Sequence, residues 1–89
     1  MTEQILTKDV WTEAFVGVTQ QTFTLTNYPD KTQKRGYKIA YASSAPAVDA
    51  SEFVFVDMLE QHSKDVVFSN STATNIYIMA VYDDGQIVY

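Results

Sequence analysis

A chain of 89 residues has room for one domain, and its 46% hydrophobic and 13% aromatic content is that of a folded chain rather than a disordered one. It contains no cysteine, which excludes a disulfide framework and a thiolate zinc site. Its net charge of −5 argues against general binding to nucleic acid.

Residues 1–10 are polar and show no period, so they read as an N-terminal arm that is free to be flexible. Ile5 and Leu6 are its apolar exceptions and are candidates for docking on a neighbouring protein. Met1-Thr2-Glu3-Gln4 has no basic stretch leading into an apolar one, so no secretion signal is read and folding in a cytoplasm is expected. A single domain is expected over residues 11–89. Its first strand runs from Trp11 to Val18, with Trp11, Phe15 and Val18 as bulky positions and Gly17 as the mark of a bulge. Gln21 to Asn27 alternates cleanly. Phe23 and Leu25 are expected to face inward and Thr22, Thr24 and Thr26 outward.

Asn27-Tyr28-Pro29-Asp30-Lys31 has the chemistry of a turn, because Pro fixes φ and Asn and Asp bond to nearby backbone. A polar loop to Gly36 follows, then a strand over 37–42 with Tyr37, Ile39 and Tyr41 on one face and Lys38, Ala40 and Ala42 on the other. Ser43 to Ser51 is small, polar and proline-containing, and reads as a loop. Phe53-Val54-Phe55-Val56 is a short strand that is apolar on both faces. Asp57 to Lys64 fits either a short helix capped by Asp57 and holding Met58, Leu59 and Gln61 or, as the favoured reading, a single turn before another strand. Val66-Val67-Phe68 is a strand and Ser69 to Thr74 a loop. The chain closes on Ile76 to Tyr82, Asp83-Asp84-Gly85 and Gln86 to Tyr89, two apolar runs about an Asp-Gly turn that predict a C-terminal hairpin with Gly85 at positive φ.

The elements together predict an all-β fold, a small antiparallel β-sandwich or barrel of about seven strands. The longest apolar run, Ile76 to Tyr82, is too short to cross a bilayer as a helix, so no membrane partner is expected.

Few residues carry chemistry. His62 is the only histidine and lies in a polar stretch without a neighbouring nucleophile. Asp83 and Asp84 with Asp57 or Asp65 lack the ligand spacing of a calcium loop. Asn70-Ser71-Thr72 has the form of a glycosylation acceptor and reads as a turn where no secretion signal precedes it. Three glycines cannot build a phosphate cradle, and no nucleophile–base pair can be assembled, so neither an enzyme nor a bound cofactor or metal is expected.

Four of the six basic residues, Lys31, Lys34, Arg35 and Lys38, fall within eight positions, beside Tyr28, Tyr37 and Tyr41. The cluster reads as a solvated loop with an edge strand blunted by Lys38, as a docking patch for an acidic protein surface, or as a small phosphate-and-base patch. Six tyrosines and Trp11 offer interface anchors or a sugar platform as well as core.

The order of these features resembles a known family. Trp11 precedes an alternating strand ending in Leu25-Thr26-Asn27; Tyr37-Lys38-Ile39-Ala40-Tyr41 and Ala42-Ser43-Ser44-Ala45-Pro46 follow, and Ile76-Tyr77-Ile78-Met79-Ala80 comes late. This resembles the small β-sandwich virion proteins encoded among the head and tail genes of tailed bacteriophages. The chain departs from that pattern in the basic loop at 31–36 and at Asp57 to Lys64. The resemblance implies a non-enzymatic capsid decoration or head/tail-associated protein, made in the host cytoplasm and located in the virion. Its implied partners are a capsid or tail protein of the same virion and further copies of itself in a homo-oligomer, with no nucleic acid and no membrane. Docking is then expected at Ile5, Leu6, Trp11, Lys31, Lys34, Arg35 and Lys38. Two other functions fit the residues: a carbohydrate-binding module with Trp11 and tyrosines as platform, and a small acidic inhibitor or adaptor of a host protein.

Overall fold

A computed structural model describes residues 2–27, 36–58 and 62–89. The expected turn at 28–31 and the basic residues Lys31, Lys34 and Arg35 lie outside the described residues, as do positions 59–61 of the ambiguous segment.

The fold is all-β. Six strands, β1 (Glu3–Leu6), β2 (Thr12–Asn27), β3 (Gly36–Ala42), β4 (Val54–Asp57), β5 (Ser63–Ala80) and β6 (Gly85–Val88), form one antiparallel sheet in the order β1-β6-β2-β5-β3-β4. Of the two architectures expected, the sheet takes the barrel-like one and curls into a half-barrel. The reason lies in its two long strands. At about 3.3 Å per residue, 16 and 18 residues would run to roughly 50–60 Å if straight. The longest dimension of the molecule is 35 Å, so both strands must bend. The bends coincide with register shifts between Glu13 and Phe15, Phe15 and Val18, and Val18 and Gln20. Gly17, at φ 63°, sits among them as the expected bulge residue.

This bending explains the strand count. Trp11 to Val18 and Gln21 to Asn27 are one strand, β2, folded over at its bulges. Likewise Val66 to Phe68, the Ser69 to Thr74 stretch and the following apolar run as far as Ala80 are all β5. The predicted C-terminal hairpin does not form: β6 pairs with β1 and β2, and β2 lies between β6 and β5. Gly85 does not take the positive φ expected of it, which among the described glycines only Gly17 adopts.

The arm is also corrected. Glu3–Leu6 is strand β1, paired with Gly85 to Val88, and Leu6 is fully buried. After β1 the chain turns at Asp9, whose φ is 62°, and Lys8 bridges Ala80 at the far end of β5. The Asp9 N–H donates to the Ala80 carbonyl at 2.8 Å. The first and fourth strands in sheet order are thereby stitched together, which narrows the open side of the curl.

The concave side holds the core: Leu6, Phe15, Phe23, Leu25, Tyr37, Ile39, Val56, Met58, Phe68, Ile76, Ile78, Ala80 and Ile87. The alternation of Phe23 and Leu25 with threonines on β2 is observed as expected. On β3, Tyr37 and Ile39 enter the core, whereas Tyr41 reaches the rim and stacks on Phe68 at 4.6 Å.

Candidate functional site

The expected docking residues do not converge. Leu6 belongs to the core and offers nothing to a partner, because its side chain fills space between β1 and the concave face. Ile5, one residue earlier on an edge strand, points the other way and is 50% exposed. Trp11 is half-buried, and its indole N–H donates to the Ala47 carbonyl at 3.0 Å. It therefore holds the loop after β3. Lys31, Lys34 and Arg35 lie outside the described residues. Lys38 is not on an edge, since β3 lies between β5 and β4. Its ammonium stands 4.5 Å from the ring centroid of Phe53, a cation–π contact.

Lys38 leads to the patch that the sequence did not single out. Lys38 is opposite Phe55 and Gly36 opposite Asp57 across β3 and β4. Tyr37 and Ile39, opposite Val56 and Val54, take the concave side, so Lys38, Phe55 and Asp57 share the convex one. Phe53, two residues before Phe55, has the same parity. Tyr82, in the turn between β5 and β6, reaches the same place: a Cβ on Gly36 would stand 2.8 Å from Phe55 and 3.0 Å from Tyr82. Gly36 is thus the floor on which two rings meet.

The strip Phe53, Phe55 and Tyr82 with Lys38 at its centre is partly solvated. Phe55 is 44% exposed, Tyr82 49%, and Val54 on the opposite face of β4 is 53% exposed. β4 is also the outermost strand on its side of the sheet. Among the described residues, its outer main-chain groups have no strand beside them. Natural edges are commonly blunted by lysine, proline or a bulge within the strand. Val54-Phe55-Val56-Asp57 has none of these, and its one charge is the exposed Asp57 at its end. Its chemistry is that of contact: backbone hydrogen bonds on one side, aromatic area, and one cation held over a ring. The signal available in the sequence was the two-sided apolar character of 53–56. In a single curled sheet, a strand apolar on both faces has one face left for something other than the core.

Beside the start of β4 lies a groove of about 420 Å³, lined by Tyr41 and small residues of β3 and the following loop together with Ser51 and Glu52. The outer face above it is knit by Asn75, whose amide accepts from the Gly17 N–H at 2.9 Å and donates to the Ser43 carbonyl at 3.3 Å. Tyr77 adds a hydrogen bond to Glu13 at 2.8 Å.

The other sequence candidates are accounted for individually. His62 is exposed, and its carbonyl accepts from the Asn27 N–H at 3.2 Å. The Asp84 carboxylate accepts from the Lys8 N–H at 2.9 Å, tying the turn after β5 to the end of β1. Among the described residues, no three acidic or histidine side chains converge as metal ligands. The Asn70 amide donates to the Thr72 carbonyl at 3.1 Å within the exposed middle of β5. Comparison of the chain with known protein families, with characterised proteins and with solved structures gave no match.

Proposed function

We propose that this chain is a non-enzymatic structural protein of a bacteriophage virion, a capsid decoration or head-associated component that docks on a larger protein assembly. The order of its motifs, from Trp11 through the Tyr37 strand to the Ile76 strand, supports the virion reading by resemblance. The observation that carries the docking reading is β4, which among the described strands is outermost on its side of the sheet, with Val54 and Phe55 exposed on its two faces. An extended segment of a partner adds to such an edge by main-chain hydrogen bonds, and the flanking side chains select it. Each contact is small, and many copies on a symmetric shell raise the total by avidity.

The test is co-sedimentation of the purified protein with virions or shells lacking it. The wild-type chain is expected in the pellet, and Phe55→Asp in the supernatant with its circular dichroism unchanged. A wild-type chain that stays wholly in the supernatant overturns the reading. One observation favours a second reading. Phe53, Phe55 and Tyr82 gather on one face, as the aromatic platform of a carbohydrate-binding module would. A glycan array separates the two, because sugar binding needs no virion.

A further inference from the structure

We propose that the groove between the end of β3 and the loop that follows it binds an uncharged sugar of one or two rings. The proposal is independent of docking at β4. It gives sugar recognition a place other than the aromatic strip of Phe53, Phe55 and Tyr82.

The loop over residues 43–52 is held more firmly than its packing requires. None of its residues is buried, and Val48, its largest aliphatic side chain, is 66% exposed. Hydrogen bonds nevertheless fix it along its length. The Asn75 amide donates to the Ser43 carbonyl at 3.3 Å and the Trp11 indole to the Ala47 carbonyl at 3.0 Å. Within the loop, the Ala50 N–H donates to the same Ala47 carbonyl at 3.0 Å. Fixing a loop costs conformational entropy, and no buried apolar side chain of this loop offsets it. A loop fastened from outside without filling the core is a shaped surface, of the kind that carries binding residues on a rigid scaffold.

The lining decides what fits. The volume of about 420 Å³ lies within the range of small-molecule sites, about 300–1,000 Å³. Four alanines and Pro46 give low apolar walls, against which the C–H face of a sugar ring packs. The polar groups are the Tyr41 phenol, the Ser44 and Ser51 hydroxyls and the Glu52 carboxylate. Among the described residues, none of these four side chains is engaged in a hydrogen bond. None of the described lining residues is basic, so a phosphate or carboxylate ligand would face Glu52 with no cation to balance it. A cation gains little more. Tyr41 is the one aromatic residue among those described in the lining, and Phe68 stacks on its ring, so no aromatic cage forms. An ion pair to the exposed Glu52 is weak by itself. An ammonium or guanidinium also only donates, whereas serine and tyrosine hydroxyls both donate and accept. Sugar hydroxyls have the same double capacity. A neutral sugar therefore matches both functions of each lining hydroxyl and supplies donors to the carboxylate.

The experiment is an array of immobilised mono- and disaccharides, with neutral hexoses printed beside the corresponding uronic acids and with arginine- and lysine-rich peptides on the same surface. It is probed with the full chain and its variants. The wild-type chain is expected to bind neutral sugars and to ignore the uronic acids and the peptides. Glu52→Gln is expected to weaken binding about tenfold through loss of a charged acceptor. Ala45→Phe, at an exposed loop position, is expected to abolish it by filling the groove. Phe55→Asp is expected to leave it unchanged. Amide chemical shifts of the wild-type chain, followed as the free sugar is added, are expected to move at residues 40–52 and not along β4. This measurement reads the place even if a variant fails to fold. No bound sugar, uronic acids bound as well as their neutral counterparts, peptides preferred to sugars, or groove variants without effect overturns the proposal. Binding lost in Phe55→Asp and kept in both groove variants also overturns it and assigns the sugar to the aromatic strip. A chain that binds no sugar and still co-sediments with particles loses the groove and keeps the docking reading. A chain that binds sugar through the groove and ignores particles does the reverse.

Discussion

The phenol of Tyr37 occupies the space in which a side chain at Gly85 would stand. A Cβ built on Gly85 would come within 2.5 Å of two Tyr37 ring carbons and overlap the hydroxyl. The two residues come from opposite walls of the curl. Tyr37 is on β3, paired with Ala80 and Val56, and Gly85 opens β6. The hydroxyl donates to the Thr26 carbonyl and accepts from the Gln86 N–H at 3.1 Å, two residues that face each other across β2 and β6. One side chain thus spans the interior and joins β3 to β2 and β6 past the intervening β5. Gly85→Ala is expected to destabilise by about 2–3 kcal/mol through overpacking. Tyr37→Phe is expected to cost about 1–3 kcal/mol through the lost hydroxyl partners. Urea denaturation measures both. Combining Gly85→Ala with Tyr37→Leu should cost clearly less than the two added, because the leucine vacates the ring's place. Strict additivity would show that the close approach is not the cause.

Gly17 is needed for a different reason, and the same substitution separates the two. Nothing lies within 4 Å of where its Cβ would be, and its φ is 63°. Gly17→Ala is therefore a backbone penalty without a clash, on the order of 1–2 kcal/mol. Asparagine tolerates the left-handed region better than alanine. Gly17→Asn is expected to be milder than Gly17→Ala, whereas Gly85→Asn is expected to be worse than Gly85→Ala. The rank order in denaturation midpoints checks this, and an identical order at both sites would refute it.

These two glycines show what the sequence disclosed and what it did not. Alternation on Gln21 to Asn27 and at Tyr37 and Ile39 is a two-residue rule, and it identified the concave face correctly. Strand length was hidden, because the bulges that let β2 and β5 turn back also break their alternation. Between Val18↔Thr74 and Gln20↔Ser69, β2 advances two residues while β5 advances five. The extra stretch, Asn70 to Ala73, is exposed and mostly polar, so it reads as a loop. Asp83-Asp84-Gly85 signalled a hairpin, but the glycine answers to Tyr37, 48 positions earlier, and long-range contacts leave no local mark. Leu6 and Ile5 are a matched case. Neighbours on one short strand, they were indistinguishable by composition, and the pleat buries one and exposes the other. The strip around Gly36 went unread because Phe53 and Phe55 carry no chemistry of their own. Their meaning comes from β4 being outermost, which is a property of strand order.

Tyr41 gives the fold a response to alkali. Its ring stacks on Phe68 with the planes 20° apart, and partial burial pushes its phenol above the ordinary value of 10.0. The sign follows from linkage. The folded state holds this proton to higher pH than the unfolded state does. The contribution is therefore complete below about pH 10, and it is lost as pH rises from the unfolded value through the folded one. Denaturation midpoints measured upward from about pH 8 are expected to stay level and then fall across that window. Tyr41→Phe keeps the stack and removes the titrating group, so its midpoint is expected to fall less steeply over the same range. Ultraviolet titration gives the independent reading: the wild-type difference against Tyr41→Phe isolates one tyrosinate that appears later than a free tyrosine. A difference spectrum that develops at or below the ordinary value would mean that Phe68 does not shield the phenol, and the two pH profiles would then coincide.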